Sequence, residues 1–99
     1  MSYLRSINEK IKNLPYQPGI YQFLNFKGDI LYIGKAKNIK KRVKSYFSKS
    51  RAQSRKLKRL TSESVFLEMT ITNSELEALL LEQHLIKEIK PKYNVQFKD

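Results

Sequence analysis

The 99-residue chain predicts an α+β domain, a small antiparallel or mixed sheet with helices packed on it. Three observations carry this expectation. Two runs rich in strand formers, residues 19–25 and 30–33, flank a turn signal, Phe26-Lys27-Gly28-Asp29, and so read as a hairpin. Other stretches repeat apolar residues every three or four positions, as amphipathic helices do. The resulting order is helix, hairpin, one or two helices, strand, helix, which places antiparallel pairing among helices in a single small layer.

Each element has its own signal. Leu4, Ile7, Ile11 and Leu14 give residues 2–14 one apolar helical face. Pro15 ends that helix and Pro18 keeps the linker extended. Gly28 allows the positive φ that the hairpin turn needs. Gly34 closes the second strand and lets the backbone pass close to a partner. Asn38 is an N-cap for a helix to about Tyr46, with Ile39, Val43 and Phe47 toward the core and Lys40, Lys41 and Lys44 toward water or phosphate. Residues 48–54 are polar and irregular. Arg55 to Thr61 reads as a short basic helix resting on Leu57 and Leu60, and Val65 to Ile71 as the third strand. Thr72 with Glu75, or Ser74 with Glu77, has capping-box spacing for a last helix that stops before Pro91. Leucine and isoleucine cover most of that helix's circumference, which predicts a central buried helix. Pro91-Lys92-Tyr93-Asn94 then reads as a turn into a short extended tail.

Composition narrows the function. The chain is long enough for one domain with one core. It has no cysteine, which excludes disulfides and thiolate metal sites. It lacks an apolar run of the roughly 18 residues that a membrane span needs, and it lacks a signal-peptide pattern, so no membrane partner and a cytoplasmic setting are expected. The net charge of +11 is uneven: residues 1–60 carry +14 and residues 61–99 carry −3. Between Lys35 and Arg59 stand twelve basic residues and no acid. A polyanion is the natural partner of such a block, and duplex DNA the leading candidate. Lys37, Lys40, Lys41, Lys44, Arg51, Arg55, Lys56, Lys58 and Arg59 are its candidate phosphate contacts.

Glu82 is the sharpest chemical signal. It interrupts Leu79-Leu80-Leu81, and its helical neighbours Ala78, Leu79, Leu85 and Ile86 offer no cation. A carboxylate on an apolar face is costly unless a charge or a hydrogen bond meets it, and a divalent cation is one such partner. Partial exposure, or a distant lysine, is the other explanation. Tyr21 and Tyr32 stand on adjacent strands with Lys35 just beyond. Tyrosines near strand ends usually pack, but cations nearby favour the phenolate and a usable base. Arg42 is the one arginine among the lysines of its helix, and its fork can grip phosphate bidentately. His84, the only histidine, supports no multi-histidine metal site and reads as structural.

These pieces together resemble a known family. Gly19-Ile20-Tyr21 and Tyr32-Ile33-Gly34, with ten residues between the tyrosines, resemble the signature of the GIY-YIG nucleases. The likeness extends through Leu14-Pro15, Pro18, residues 34–38, Arg42, residues 45–47, residues 75–82 and residues 91–94, and within the family it points to the N-terminal nuclease domain of UvrC proteins. The resemblance implies a three-stranded antiparallel sheet flanked by helices and one Mg²⁺ or Mn²⁺ ion. By motif position it implies Glu82 as the metal ligand. It also implies Tyr21, Tyr32, Lys35 and Arg42 around the scissile phosphate, with Tyr46 and Asn94 completing the site. Gln83-His84 departs from the usual pair after the glutamate, so His84 inherits no role. The resemblance further implies incision 3′ of a lesion, with UvrB as partner, and longer members with further domains of which these residues are an N-terminal fragment. Two alternatives stay open: a stand-alone nuclease of the same family on another DNA, and a basic nucleic-acid-binding module without catalysis.

Overall fold

The computed structural model describes residues 3–47 and 54–97, and Arg51 therefore lies outside the described residues. The elements are α1 (Tyr3–Lys12), β1 (Gly19–Leu24), β2 (Ile30–Ala36), α2 (Ile39–Tyr46), α3 (Arg55–Glu63), β3 (Phe66–Ile71), α4 (Glu75–Ile89) and α5 (Lys92–Phe97). The sheet is antiparallel throughout, in the order β2-β1-β3. β1 is therefore central, and β2 and β3 are edges.

The period of two along each strand separates two cores. On one face Tyr21 and Phe23 of β1 and Leu67 of β3 meet Ile7, Ile11 and Leu14 from α1 and its exit, and Ile39, Val43 and Tyr46 from α2. On the other face Ile20 and Ile33 meet Ala78, with Leu81, Leu85 and Ile86 of α4 alongside. Side chains as fully buried as Ile39, Val43 and Leu60 each contribute roughly 1.5–3 kcal/mol against exposure.

Several local expectations hold. Gly28 adopts φ 87° in the hairpin turn, and Asn25 Oδ1 accepts from the backbone N–H groups of Lys27 (2.9 Å) and Asp29 (3.0 Å) there. Asn38 Oδ1 caps α2 by accepting from Lys41 N–H at 3.1 Å. Ser74, not Thr72, caps α4: its Oγ accepts from Glu77 N–H at 3.1 Å, while Glu77 Oε1 accepts from Asn73 N–H at 3.2 Å.

Three expectations are corrected. β2 does not end at Gly34; it continues through Lys35 to Ala36, because both residues remain paired with β1, opposite Ile20 and Gly19. α4 is not a central buried helix. Only Ala78 of its residues is buried, and Leu76 and Leu80 are 64% and 60% exposed. Its apolar residues go all round, but it packs chiefly on β2 and β1, so a three-stranded sheet covers one side of it. The segment after Pro91 is not an extended tail but the helix α5. Asn94 and Val95 donate back to Pro91 O at 3.1 and 3.2 Å, so the proline stands immediately before the helix and its carbonyl accepts the first bonds of α5. Tyr93, fully buried beside α3 and β2, fastens α5 in place.

Candidate active site

The site forms at one end of β1 and β2. Antiparallel register places Tyr21 opposite Gly34 and Phe23 opposite Tyr32, so both tyrosines share the α2 face, with ring centroids 6.3 Å apart. The pairing with Gly34 is a space requirement. A Cβ at position 34 would overlap Cζ and the hydroxyl of Tyr21 and lie 2.9 Å from its Cε1. The partner that the Gly34 backbone approaches is thus the Tyr21 ring itself.

Arg42 and Tyr46 are four apart on α2 and so point the same way. The Tyr46 and Tyr21 hydroxyls are 2.7 Å apart. The Arg42 guanidinium donates to the Tyr21 hydroxyl, and Tyr46 is also hydrogen-bonded to Tyr32. Arg42, Tyr21, Tyr46 and Tyr32 therefore form one chain of polar groups, running from a solvent-facing guanidinium through two buried hydroxyls to a half-buried one.

Lys35 stands on the other face. It pairs with Ile20, and its ammonium lies 3.4 Å from Glu75 Oε2 at the start of α4. Its backbone N–H donates to Glu82 Oε2 at 2.9 Å. Glu82 is half-buried and, among the described residues, has no cation within salt-bridge distance. The hydrogen-bonding partner absent from its own helix is thus supplied by the strand backbone. Burial raises the Glu82 carboxyl pKa, opposed by the Lys35 N–H and by the charges of Lys35 and Arg42.

The tyrosines correct a further expectation. Lys35 is not among the main influences on the Tyr32 proton. Burial pushes the Tyr32 phenol up, and the neighbouring Tyr46 and the Glu82 charge push it the same way; the cation that opposes them is Arg42. Burial, then the neighbouring Tyr32, carries Tyr21 up to about 12, with the hydrogen bonds from Tyr46 and Arg42 acting against it. Burial also raises Tyr46.

Beside these groups runs an open groove of about 480 Å³, lined by Lys35, Lys37, Lys41, Arg42 and Ser45 among others. Glu75 is the one acid in its lining. Lys37, Lys41 and Lys44 are exposed there or next to it, whereas Lys40 is turned away: its ammonium donates to Lys12 O at 3.0 Å. Arg55, Lys56, Lys58 and Arg59 are exposed on α3, a separate element. Asn94 faces the backbone rather than the groove. Its Oδ1 accepts from Ile33 N–H at 2.8 Å and its Nδ2 donates to Ile33 O at 2.9 Å, satisfying the outer edge of β2 next to Tyr32. His84 is exposed on α4. From sequence Ser45 carries only a positional signal, three residues after Arg42, and Glu75 reads as a helix-start residue; both line the groove.

Among the described residues no three acids or histidines gather around one point. A metal at Glu82 would therefore be held by one carboxylate and otherwise by water and phosphate, which is how Mg²⁺ is commonly bound. Glu82 Oε1 makes no hydrogen bond among the described residues, so the donor set fits such an ion.

The geometry has counterparts. Residues 17–95 match the model of the UvrC-like GIY-YIG domain. The chain belongs to that family. The GIY-YIG domain here is 51% identical over 96 residues to UvrABC system protein C of Chlorobium luteolum, covering 97% of this chain and 15% of that protein. It is 53% identical over 97 residues to the protein of the same name from Bacteroides fragilis, covering 98% of this chain and 15% of that one. The chain thus spans about 15% of the length of these relatives. Its fold superposes, with a TM-score of 0.80 and 42% identity, on the GIY-YIG N-terminal endonuclease domain of UvrC from Thermotoga maritima, solved with its catalytic divalent cation, magnesium; 88% of this chain and 93% of that one are covered. The three-stranded antiparallel sheet flanked by helices is therefore the fold of this family. Among the described residues no helix is long and apolar enough to cross a membrane.

Proposed function

We propose that this GIY-YIG domain hydrolyses a DNA phosphodiester with one Mg²⁺ or Mn²⁺ held by Glu82. The observation that carries the reading is that the solvent-facing guanidinium of Arg42, which lines the basic groove, and the Glu82 carboxylate, without an ion-pair partner among the described residues, both act on the half-buried phenol of Tyr32. The relative solved with magnesium supports the choice of metal. When bound, the cation supplies neutralisation of charge on the scissile phosphate and on the departing 3′ oxygen.

The chain's own groups do the rest. Lys37, Lys41 and Lys35 draw the phosphate backbone into the groove. Arg42 grips the non-bridging oxygens, where charge grows in the transition state. Tyr32, once its own hydroxyl proton has passed to solvent, accepts the proton of the attacking water as the phenolate. Tyr21 is unsuited to that role because it is 1% exposed and its hydroxyl is already engaged by Tyr46 and Arg42. It seats the guanidinium instead. Tyr46 holds the Tyr32 hydroxyl, and Asn94 holds the strand that carries it. Neutralising the Glu82 charge removes one of the influences that keep the proton on Tyr32. Lys35 fixes Glu82 through its backbone N–H. The products are a 5′-phosphate and a 3′-hydroxyl.

In the cell the reading extends to the incision 3′ of a lesion in nucleotide excision repair, with UvrB delivering damaged duplex to the longer protein. The likeness to UvrABC system protein C supports this assignment. Two experiments test it. Supercoiled plasmid should be nicked in Mn²⁺ and left intact in EDTA. In the longer protein with UvrB and a damaged duplex, Arg42→Lys should lose the 3′ cut. Nicking that persists in EDTA refutes metal-dependent hydrolysis, and wild-type incision by Arg42→Lys refutes the bidentate grip.

A further inference from the structure

A second surface lies at the start of α2. The linker between α1 and β1 runs over the first turn of α2: Ile39 N–H donates to Gln17 O at 2.9 Å and Lys40 N–H to Pro15 O at 3.2 Å. Tyr16 stands on this linker and is 66% exposed. Lys40 lies over its ring, 5.1 Å from the centroid, and is itself fixed by Lys12 O at 3.0 Å. The next residues on the same helix end, Lys37, Asn38 and Lys41, line the groove. An exposed aromatic ring is thus backed on one side by a fixed cation, on a linker bonded to the helix end whose neighbouring residues Lys37, Asn38 and Lys41 line the groove. Pro15 beside it and Pro18 two residues on restrict the linker, so little ordering remains to be done on binding.

We propose that Tyr16, with Lys40 behind it, is a stacking platform for an unpaired nucleobase of a DNA strand whose phosphates enter the groove beside Arg42. The proposal rests on the DNA-cleaving function above and adds a preference to it. A fully paired duplex keeps its bases stacked on one another and offers this ring only backbone. A single-stranded flank or opened segment offers a free base face, and aromatic stacking takes any base without reading sequence. A cationic groove beside an aromatic ring is the arrangement that single-strand binding uses. The ammonium behind the ring adds a cation–π contact that holds it in place. The other exposed aromatic with a lysine over it, Phe26 under Lys27 at 5.9 Å, stands in the hairpin turn at the opposite end of β1 and β2 from the groove. It serves as the internal control.

The test is binding in EDTA, where no cutting intervenes, of a fluorescein-labelled oligothymidylate and of a blunt duplex of equal length, read by anisotropy. Tyr16→Ala should weaken the single strand by about 5- to 160-fold, the range expected for one base on an aromatic ring, and leave the duplex nearly unchanged. Tyr16→Phe should keep the wild-type affinity, and Phe26→Ala should lose nothing on either DNA. A 5-iodouracil-substituted strand should photo-cross-link to Tyr16, located by mass spectrometry. Unchanged single-strand affinity in Tyr16→Ala, an equal loss on both DNAs, or an equal effect of Phe26→Ala overturns the platform. If Lys41→Ala still weakens both DNAs in that case, the groove stands and only the platform falls. Wild type that binds neither DNA overturns the DNA-cleaving function as well.

Discussion

Gly34→Ala isolates the closest approach in the site. The added methyl would overlap the end of the Tyr21 ring, which is 1% exposed, bonded to Tyr46 at its hydroxyl and enclosed by the ring of Phe23 edge-on at 5.8 Å. Tyr21 has two stiff torsions and no vacant direction, so either the strands part or the ring leaves its partners. Overpacking a filled site costs about 1–3 kcal/mol, and losing one buried hydroxyl bond adds about 1 kcal/mol. The sum is about 2–4 kcal/mol. For a domain near 100 residues this lowers the melting temperature by roughly 10–30 °C, at about 4–8 °C per kcal/mol. Circular-dichroism melts and urea titrations at neutral pH measure it. Gly28→Ala supplies the contrast: with φ 87° and nothing within 4 Å, it carries only left-handed backbone strain, about 1–2 kcal/mol. Gly34→Ala should also fail to nick plasmid at temperatures where it is folded, because Tyr21 no longer seats Arg42, whereas Gly28→Ala should nick normally. A Gly34→Ala protein that melts within a degree or two of wild type would show that Tyr21 has room to yield, and the argument from close approach would be wrong.

Three further outcomes are expected. Glu82→Gln keeps an acceptor for Lys35 N–H and removes a charge that burial disfavours, so without metal it should melt within about 1 kcal/mol of wild type; added Mn²⁺ should raise the melting temperature of wild type only, and equal shifts in both would place the metal elsewhere. Tyr21 ionises near 12 when folded against about 10 when unfolded, so the unfolded chain releases its proton first; the stability it contributes is complete below pH 10 and is lost as pH rises through 12, amounting to roughly 2–3 kcal/mol. Tyr32 and Tyr46 act in the same direction, and denaturant titrations between pH 8 and 11.5, flatter for Tyr21→Phe than for wild type, check this. Asn94→Ala strips both bonds from the outer edge of β2 and should cost about 1–3 kcal/mol while speeding exchange of the Ile33 amide; an unchanged exchange rate would mean the edge is satisfied by other means.

The hairpin, the caps and the candidate residues of the site were legible because they rest on local chemistry. Gly28 in its turn, Asn38 and Ser74 at helix starts, and Glu82 among leucines each carry their meaning within a few residues. The twelve bases without an acid between Lys35 and Arg59 likewise needed no fold to indicate a polyanion. Other features depended on what lies across the molecule. The leucines of α4 suggest burial on every side, but whether a second layer exists to cover Leu76 and Leu80 is a fact about the sheet. The tail after Pro91 has no helical period, and α5 forms because Tyr93 and Asn94 find β2. Sequence proximity put Lys35 with Tyr32, yet the alternation of a strand sends residues three apart to opposite faces, so Lys35 serves Glu82 and Glu75 while Arg42, ten residues on, reaches the tyrosines. The sequence by itself therefore determined which groups are available and which segments could curl or extend, since those follow from short-range sterics and hydrogen bonding. Only the tertiary structure decided which phenol meets water and which cation meets which phenol, because burial and charge coupling depend on separation in space.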